Sequence, residues 1–239
     1  AAEAYRQAMG NKELDPLLHK ALELVGQGRF GVAEGICREY LKRRPHDVDA
    51  IRLLAEVGIS IGSVAEAILL LERCLELAPE FHVARTNYVT ALARHQRFDE
   101  ALAENEQRRK AQPDSLAHQV QFATTLSLAG RFEMAHGEFE KALEQAPGNE
   151  RILTSYGHSL RYGVKGEEAI AAYLRAVEAA PSAGEAYWSL ANLKTFRFDD
   201  TQLARMQSRL AGLAQPSDDK IHLAFAVGKA LEDRHEYDQ

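Results

Sequence analysis

Five prolines, Pro45, Pro79, Pro113, Pro147 and Pro181, recur every 34 residues, and the residues between them repeat in type as well as in number. Reading back from each proline gives one set of small residues, Ala21, Ala55, Val89, Ala123 and Gly157, and a second, Ala33, Ala67, Ala101, Ala135 and Ala169. Small side chains are needed where two helices approach closely. A fixed period of this length implies stacked supersecondary units, none of which buries its apolar face alone. The chain is expected to be all-α, and the array constrains its fold far more than its chemistry.

Within one unit the apolar positions trace a helical hairpin. Ile152, Leu153, Tyr156, Gly157 and Leu160 fall at three- and four-residue spacing, one face of a helix. After a break at 163–166 the acidic pair Glu167 and Glu168 opens a second helix, with Ala169, Ile170, Tyr173, Ala176 and Val177 on its buried side. Pro181 ends it, since proline offers no N–H and pushes its predecessor out of the α region. The turn between the two helices repeats as Gly28-Arg29-Phe30, Gln96-Arg97-Phe98 and Gly130-Arg131-Phe132. Glycine there suits a left-handed helix terminus, and the phenylalanine can staple the entry to the second helix.

This pattern resembles the tetratricopeptide repeat (TPR), whose unit carries a small residue in each helix and a proline near its end. The resemblance implies a right-handed superhelix, an α-α solenoid of antiparallel helix pairs. Five units are expected at 14–47, 48–81, 82–115, 116–149 and 150–183. Residues 1–13 are readable as the second helix of an earlier unit, a capping helix or a remnant. The third unit departs from the pattern: Asn105 and Arg108 stand where other second helices carry Cys37, Leu71, Phe139 and Tyr173, or Tyr40, Cys74, Ala142 and Ala176. That unit is expected to pack more loosely or to let its polar groups reach solvent.

Past Pro181 the register changes. Residues 184–195 read as a first helix with Tyr187, Leu190, Ala191 and Lys194 in frame, Phe198-Asp199-Asp200 leads into a helix lacking the alanine, and Pro216 comes one residue late. A further first helix is expected from about Lys220 to Asp233, with Ala224, Val227, Gly228 and Leu231 on its packing face, then a turn from Arg234 to Tyr237. An array should end in a polar cap, so Gln239 is expected not to be a natural terminus. The segments 186–196 and 222–233, with Asp199, Asp200 and Tyr237-Asp238, resemble the junction in bacterial TPR-containing sulfotransferases, where a domain using phosphoadenosine phosphosulfate follows the repeats. The resemblance implies a bacterial parent enzyme, with 184–239 leading to a catalytic domain absent from this chain; a cytoplasmic location is the default expectation, since the N-terminus has no basic segment leading to a hydrophobic stretch. It assigns no catalytic residue, cofactor or metal within the chain itself.

The chemistry-bearing motifs agree. A phosphate-binding loop needs a strand, a glycine-rich turn and a helix, whereas Gly26-Gln27-Gly28 and residues 163–166 lie between helices. Cys37 and Cys74 fall on packing faces and read as buried small hydrophobes. The nine histidines include no pair at three- or four-residue spacing, so no metal site is expected. Asp218-Asp219 reads as helix N-terminal charge. A net charge of −6 offers no overall attraction to nucleic acid, and no apolar run approaches the roughly 20 residues that span a bilayer.

What remains is the concave groove that TPR resemblance assigns to the first helices. Carried onto this chain, its lining is Arg52, Glu56, Thr86, Thr90, Arg94, Val120, Thr124, Thr154, His158, Arg161, Tyr162, Trp188 and Asn192. Cations and aromatics gather toward its C-terminal half, where Arg161, Tyr162, Trp188 and Asn192 could clamp an extended peptide. The competing reading for each is a solvated or inter-repeat contact, and Trp188, the only tryptophan, is as readable packed at the junction as offered to a ligand. The lysine and asparagine pattern by which some chaperone-binding repeats grip a C-terminal carboxylate is absent, because Leu18 and Leu22 fill the corresponding places. The expected function is a protein-interaction scaffold binding a protein or peptide, either recruiting for a sulfotransferase or acting as a stand-alone adaptor. Homodimerisation through the terminal helices is also expected, since an unfinished apolar edge favours association.

Overall fold

The computed structural model describes residues 14–181, 183–213 and 217–234. Residues 1–13, Pro216 and Tyr237 lie outside that range, and with them the readings made on the N-terminal segment, the late proline and the last turn. Among the described residues the chain is thirteen helices with no strand. In order they are α1 Pro16–Gly26, α2 Phe30–Arg43, α3 Val48–Ser60, α4 Val64–Leu77, α5 His82–Arg94, α6 Phe98–Ala111, α7 Leu116–Leu128, α8 Phe132–Gln145, α9 Glu150–Tyr162, α10 Gly166–Ala179, α11 Gly184–Ala191, α12 Asp200–Gly212 and α13 Asp218–Asp233. None is long and apolar enough to cross a membrane. The chain forms two compact units, 1–110 holding α1–α6 and 111–239 holding α7–α13.

The period is written into the backbone. Positive φ occurs at Gly28, Gly62, Gln96, Gly130 and Val164, one for each turn within a pair. The left-handed residue reverses the chain so that the next N–H reaches back to the helix just ended: Arg29 to Leu24, Arg97 to Leu92, Arg131 to Leu126 and Lys165 to Leu160, each at 2.9 Å. Only three of the five positions are glycine, and Gly163, the glycine of the fifth turn, has an ordinary φ of −77°. At the other end of each pair the residue before the proline leaves helical geometry, and Arg44, Ala78, Ala146 and Ala180 each donate one last bond to the carbonyl four residues back. The first helices begin on side-chain caps from Asp15, Asp47, Ser115 and Asn149.

The small residues sit where the period puts them. Ala21, Ala55, Ala123, Ala33, Ala67, Ala101, Ala135 and Ala169 are fully buried, and Val89 nearly so. Gly157 shows why: a Cβ built there would stand 2.5 Å from Cε1 of Tyr173 and 2.7 Å from its Cδ1, inside any permitted contact. Tyr173 is itself fully buried, so the first helix gives up its side chain to admit the ring of the second. Cross-links also repeat, with Tyr88 on α5 donating to Glu72 on α4 at 3.1 Å and Tyr156 on α9 donating to Glu140 on α8 at 2.9 Å. Cys37 and Cys74 are free and buried, and burial pushes both thiols up to about 11.

Three expectations need correction. Asn105 and Arg108 do not reach solvent; both are buried, and Arg108 Nη2 donates to Thr86 Oγ at 2.8 Å across the α5–α6 pair. A satisfied polar bond replaces the apolar contact of the other units. The helix expected over 184–195 stops at Ala191, and Lys194 is exposed. On α13 the packing face is Leu223, Ala226, Val227, Ala230 and Leu231. Ala224 and Gly228 are exposed instead, because α13 packs against both α11 and α12 and is rotated from the frame of the regular first helices.

Candidate functional site

The predicted groove residues divide between the two units. In the first, Arg52 is not a groove residue. Its side chain is 3% exposed and pairs with Glu56 one turn on, because α3 packs against α1, α2, α4 and α5 and leaves that face little solvent. Thr86 is likewise engaged: its hydroxyl donates to His82 O at 3.0 Å and accepts from Arg108. Arg94 is exposed, and its Nη1 donates at 3.2 Å to Ile59 O in the last turn of α3, capping that helix from its neighbour.

In the second unit Thr124 turns back onto its own helix, donating to Val120 O at 2.8 Å, as Thr154 does to Glu150 O at 2.7 Å and Thr90 in the first unit to Thr86 O at 3.0 Å. Each of these threonines has its proton engaged within its own helix. The remaining five residues lie on α9, on α11 and at the C-cap of α11. His158 Nε2 lies 3.0 Å from Ser189 Oγ, tying α9 to α11, and its ring stands edge-on to Tyr173 at 5.5 Å. Burial holds the His158 imidazole below its ordinary pKa, with Arg161 pushing the same way and Glu185 opposing. Ser189 is fully buried, so this Ser–His contact positions two helices and offers no accessible nucleophile.

Beside it Arg161 lies 5.0 Å from the centroid of the Tyr162 ring, and its Nη2 donates to the Tyr162 hydroxyl at 3.2 Å. Tyr162 is 60% exposed, so its ring faces solvent with the partly buried guanidinium beside it. Trp188 is half-buried, tilted against His222 at 5.7 Å and Phe225 at 6.3 Å on α13. Asn192 is exposed and donates from Nδ2 to Trp188 O at 2.8 Å, closing the end of α11. Phe225 and Ile221, 46% and 66% exposed, continue the apolar shelf along α13.

Arg161 and Tyr162 thus pair on α9, while Trp188 on α11 packs with His222 and Phe225 on α13, where Ile221 extends the apolar surface. Glu185, Ser189, His222 and Phe225 were not among the residues assigned to the groove by sequence. The three-residue spacing of His222 and Phe225 was a readable signal for them, whereas the partnership of Ser189 with His158 depends on how the two helices meet. Among the described residues no three His, Cys, Asp or Glu side chains converge as metal ligands.

Two tetratricopeptide repeat family models match the chain, one over residues 18–80 and 120–183 and the other over 59–121. No curated protein matches it. Among solved structures, the thermophilic TPR protein TTC0263 of Thermus thermophilus is 22% identical, covering 69% of this chain and 90% of its own with a TM-score of 0.59. MamA AMB-1 is 23% identical over 71% of this chain and 100% of its own, with a TM-score of 0.54. YrrB, described as a TPR protein with an unusual peptide-binding site, is 20% identical over 79% and 98%, with a TM-score of 0.51. At these identities the likeness is one of fold.

Proposed function

Because the chain belongs to the tetratricopeptide-repeat family, we propose that it is a protein-interaction scaffold whose second unit docks an extended peptide across α9, α11 and α13. The observations that carry this reading are the Arg161–Tyr162 pair on α9 and the Trp188–Phe225 shelf on α11 and α13. Exposed aromatics next to a cation are costly to leave in water and match the anchors that dominate peptide recognition. Arg161 would bond a carboxylate or backbone carbonyl of the peptide while Trp188 and Phe225 receive an apolar side chain. YrrB, of the same fold, is described as binding peptide, which supports the class of ligand but not its sequence.

Selection of a displayed peptide library on the whole chain, followed by titration of the enriched peptides monitored by the single tryptophan, tests the reading. Arg161→Ala/Tyr162→Ala should weaken binding at least tenfold with helicity unchanged. Absence of enriched peptides, or unchanged affinity in the variant, refutes it.

A second reading rests on the C-terminal region, where the family matches stop at 183 and α11 runs only 8 residues. It makes the chain the recruiting region of a sulfotransferase, with phosphoadenosine phosphosulfate bound by a following domain. Reading the coding sequence past Gln239 tests it: a strand, phosphate loop and helix would support it, and a stop codon within a helix or two would remove it.

A further inference from the structure

The second unit holds a cleft of about 1020 Å³ between the C-terminal half of α10 and the length of α12, on a different side of α11 from Trp188. Its floor is apolar, from Leu174, Val177, Tyr187, Leu190 and Phe198, and its α12 wall is polar. Arg205 and Arg209 stand one turn apart on that wall, both exposed, and both act electrostatically on the buried Tyr187 phenol. Among the described residues neither arginine has an ion pair. Facing them are Glu178 on α10, alone on its wall, and Asp200 at the start of α12, which Arg234 holds in an ion pair. The lining thus holds two arginines and two carboxylates, and with Asp200 engaged by Arg234 the two arginines face a single unengaged carboxylate among the described residues, in a chain whose net charge is −6.

We propose that this cleft is a second docking site, for a short acidic amphipathic helix of a partner protein. A helix about 10 Å across that rises about 1.5 Å per residue fills roughly 120 Å³ per residue, so the cleft has room for about two turns. Two carboxylates one turn apart on that helix would repeat the spacing of Arg205 and Arg209, each accepting a charge-assisted bond. An apolar residue on the same helix would cover the partly exposed Leu174 above the buried Val177 and Leu190. This site shares no residue with the α9–α11–α13 surface, so the two can fail separately.

The test is fluorescence anisotropy of the whole chain with a labelled synthetic helical peptide carrying two glutamates one turn apart beside leucines, and with its lysine-for-glutamate counterpart. The glutamate peptide should bind saturably, at least tenfold tighter than the lysine peptide. Its affinity should fall at least tenfold in Arg205→Glu/Arg209→Glu and in the milder Arg205→Gln/Arg209→Gln, with circular dichroism unchanged, and stay constant in Arg161→Ala/Tyr162→Ala. No saturable binding, equal binding of the lysine peptide, or indifference to both arginine variants overturns the proposal. So does a dimer in sedimentation equilibrium that the arginine variants dissolve, since a second copy would then be the occupant.

Discussion

Replacing Gly157 with alanine should destabilise the second unit even though alanine is the better helix former. The methyl would lie 2.5 Å, 2.7 Å and 2.9 Å from Cε1, Cδ1 and Cζ of Tyr173. That ring is fully buried and braced by the His158 edge at 5.5 Å, so it has no free direction to retreat. Overpacking of this kind costs about 1–3 kcal/mol, and the gain in helix propensity is about 1 kcal/mol, which leaves a net loss of up to about 2 kcal/mol. In a Tyr173→Leu background the ring is gone and only the propensity gain survives, so the same substitution should stabilise by up to about 1 kcal/mol. Urea unfolding followed by circular dichroism and by Trp188 fluorescence would read both. Two probes are needed because repeat arrays need not unfold in one step. If Gly157→Ala has the same sign in both backgrounds, the close approach of ring and backbone is not what selects glycine here.

Val164→Gly should raise stability by about 1 kcal/mol in the same assay, because a β-branched residue at φ 62° sits in the left-handed region; a loss would mean that the side chain, 91% exposed, makes a contact that outweighs the strain. Asp199→Ala should cost about 1 kcal/mol by removing the capping box in which Asp199 Oδ1 accepts from Gln202 N at 2.7 Å and Gln202 Oε1 accepts from Asp199 N at 3.0 Å; an unchanged midpoint sinks it. His158, whose pKa burial depresses in the folded state, favours the unfolded chain once protonated, so its contribution is full above the ordinary imidazole value of about 6.5 and declines as pH falls below it. Comparing unfolding midpoints at pH 7.5 and 5 should show a smaller drop for His158→Gln than for the parent, and equal drops would refute the assignment.

Much of the fold was legible because proline and alanine act locally. Proline removes a donor wherever it stands, and a buried alanine marks a close helix contact, so five units could be counted from composition at fixed spacing. The turns were only partly legible. Gln96 and Val164 adopt the left-handed geometry that glycine normally signals, and they hold it because the following N–H bonds to Leu92 and Leu160 close the same reversal whatever the side chain. Among site residues, Arg161 and the exposed Tyr162 lie side by side in the chain, and the other candidates were found by periodicity. Arg52 was misread because the burial of α3 depends on four other helices, and a cation with its own Glu56 partner can enter a core that its charge alone would forbid.

Both candidate binding surfaces of the second unit trace to one missing turn. In the regular pairs the first helix ends in a left-handed residue and the second begins within three positions, as at 27–29 and 163–165. After α11 the C-cap Asn192 has the same geometry as the regular C-caps, but the next residue, Leu193, has no positive φ, and the chain runs through 192–199 before Asp199 caps α12. A helix that starts late cannot lie along its partner as its predecessors do. Tyr187 and Leu190 are left as the floor of the cleft beside α10, and α13 comes to pack on α11 with His222 and Phe225 against Trp188. Restoring a short glycine turn after Ala191 would thus be expected to erase the cleft and the shelf together, a coupling that two unrelated surfaces would not show.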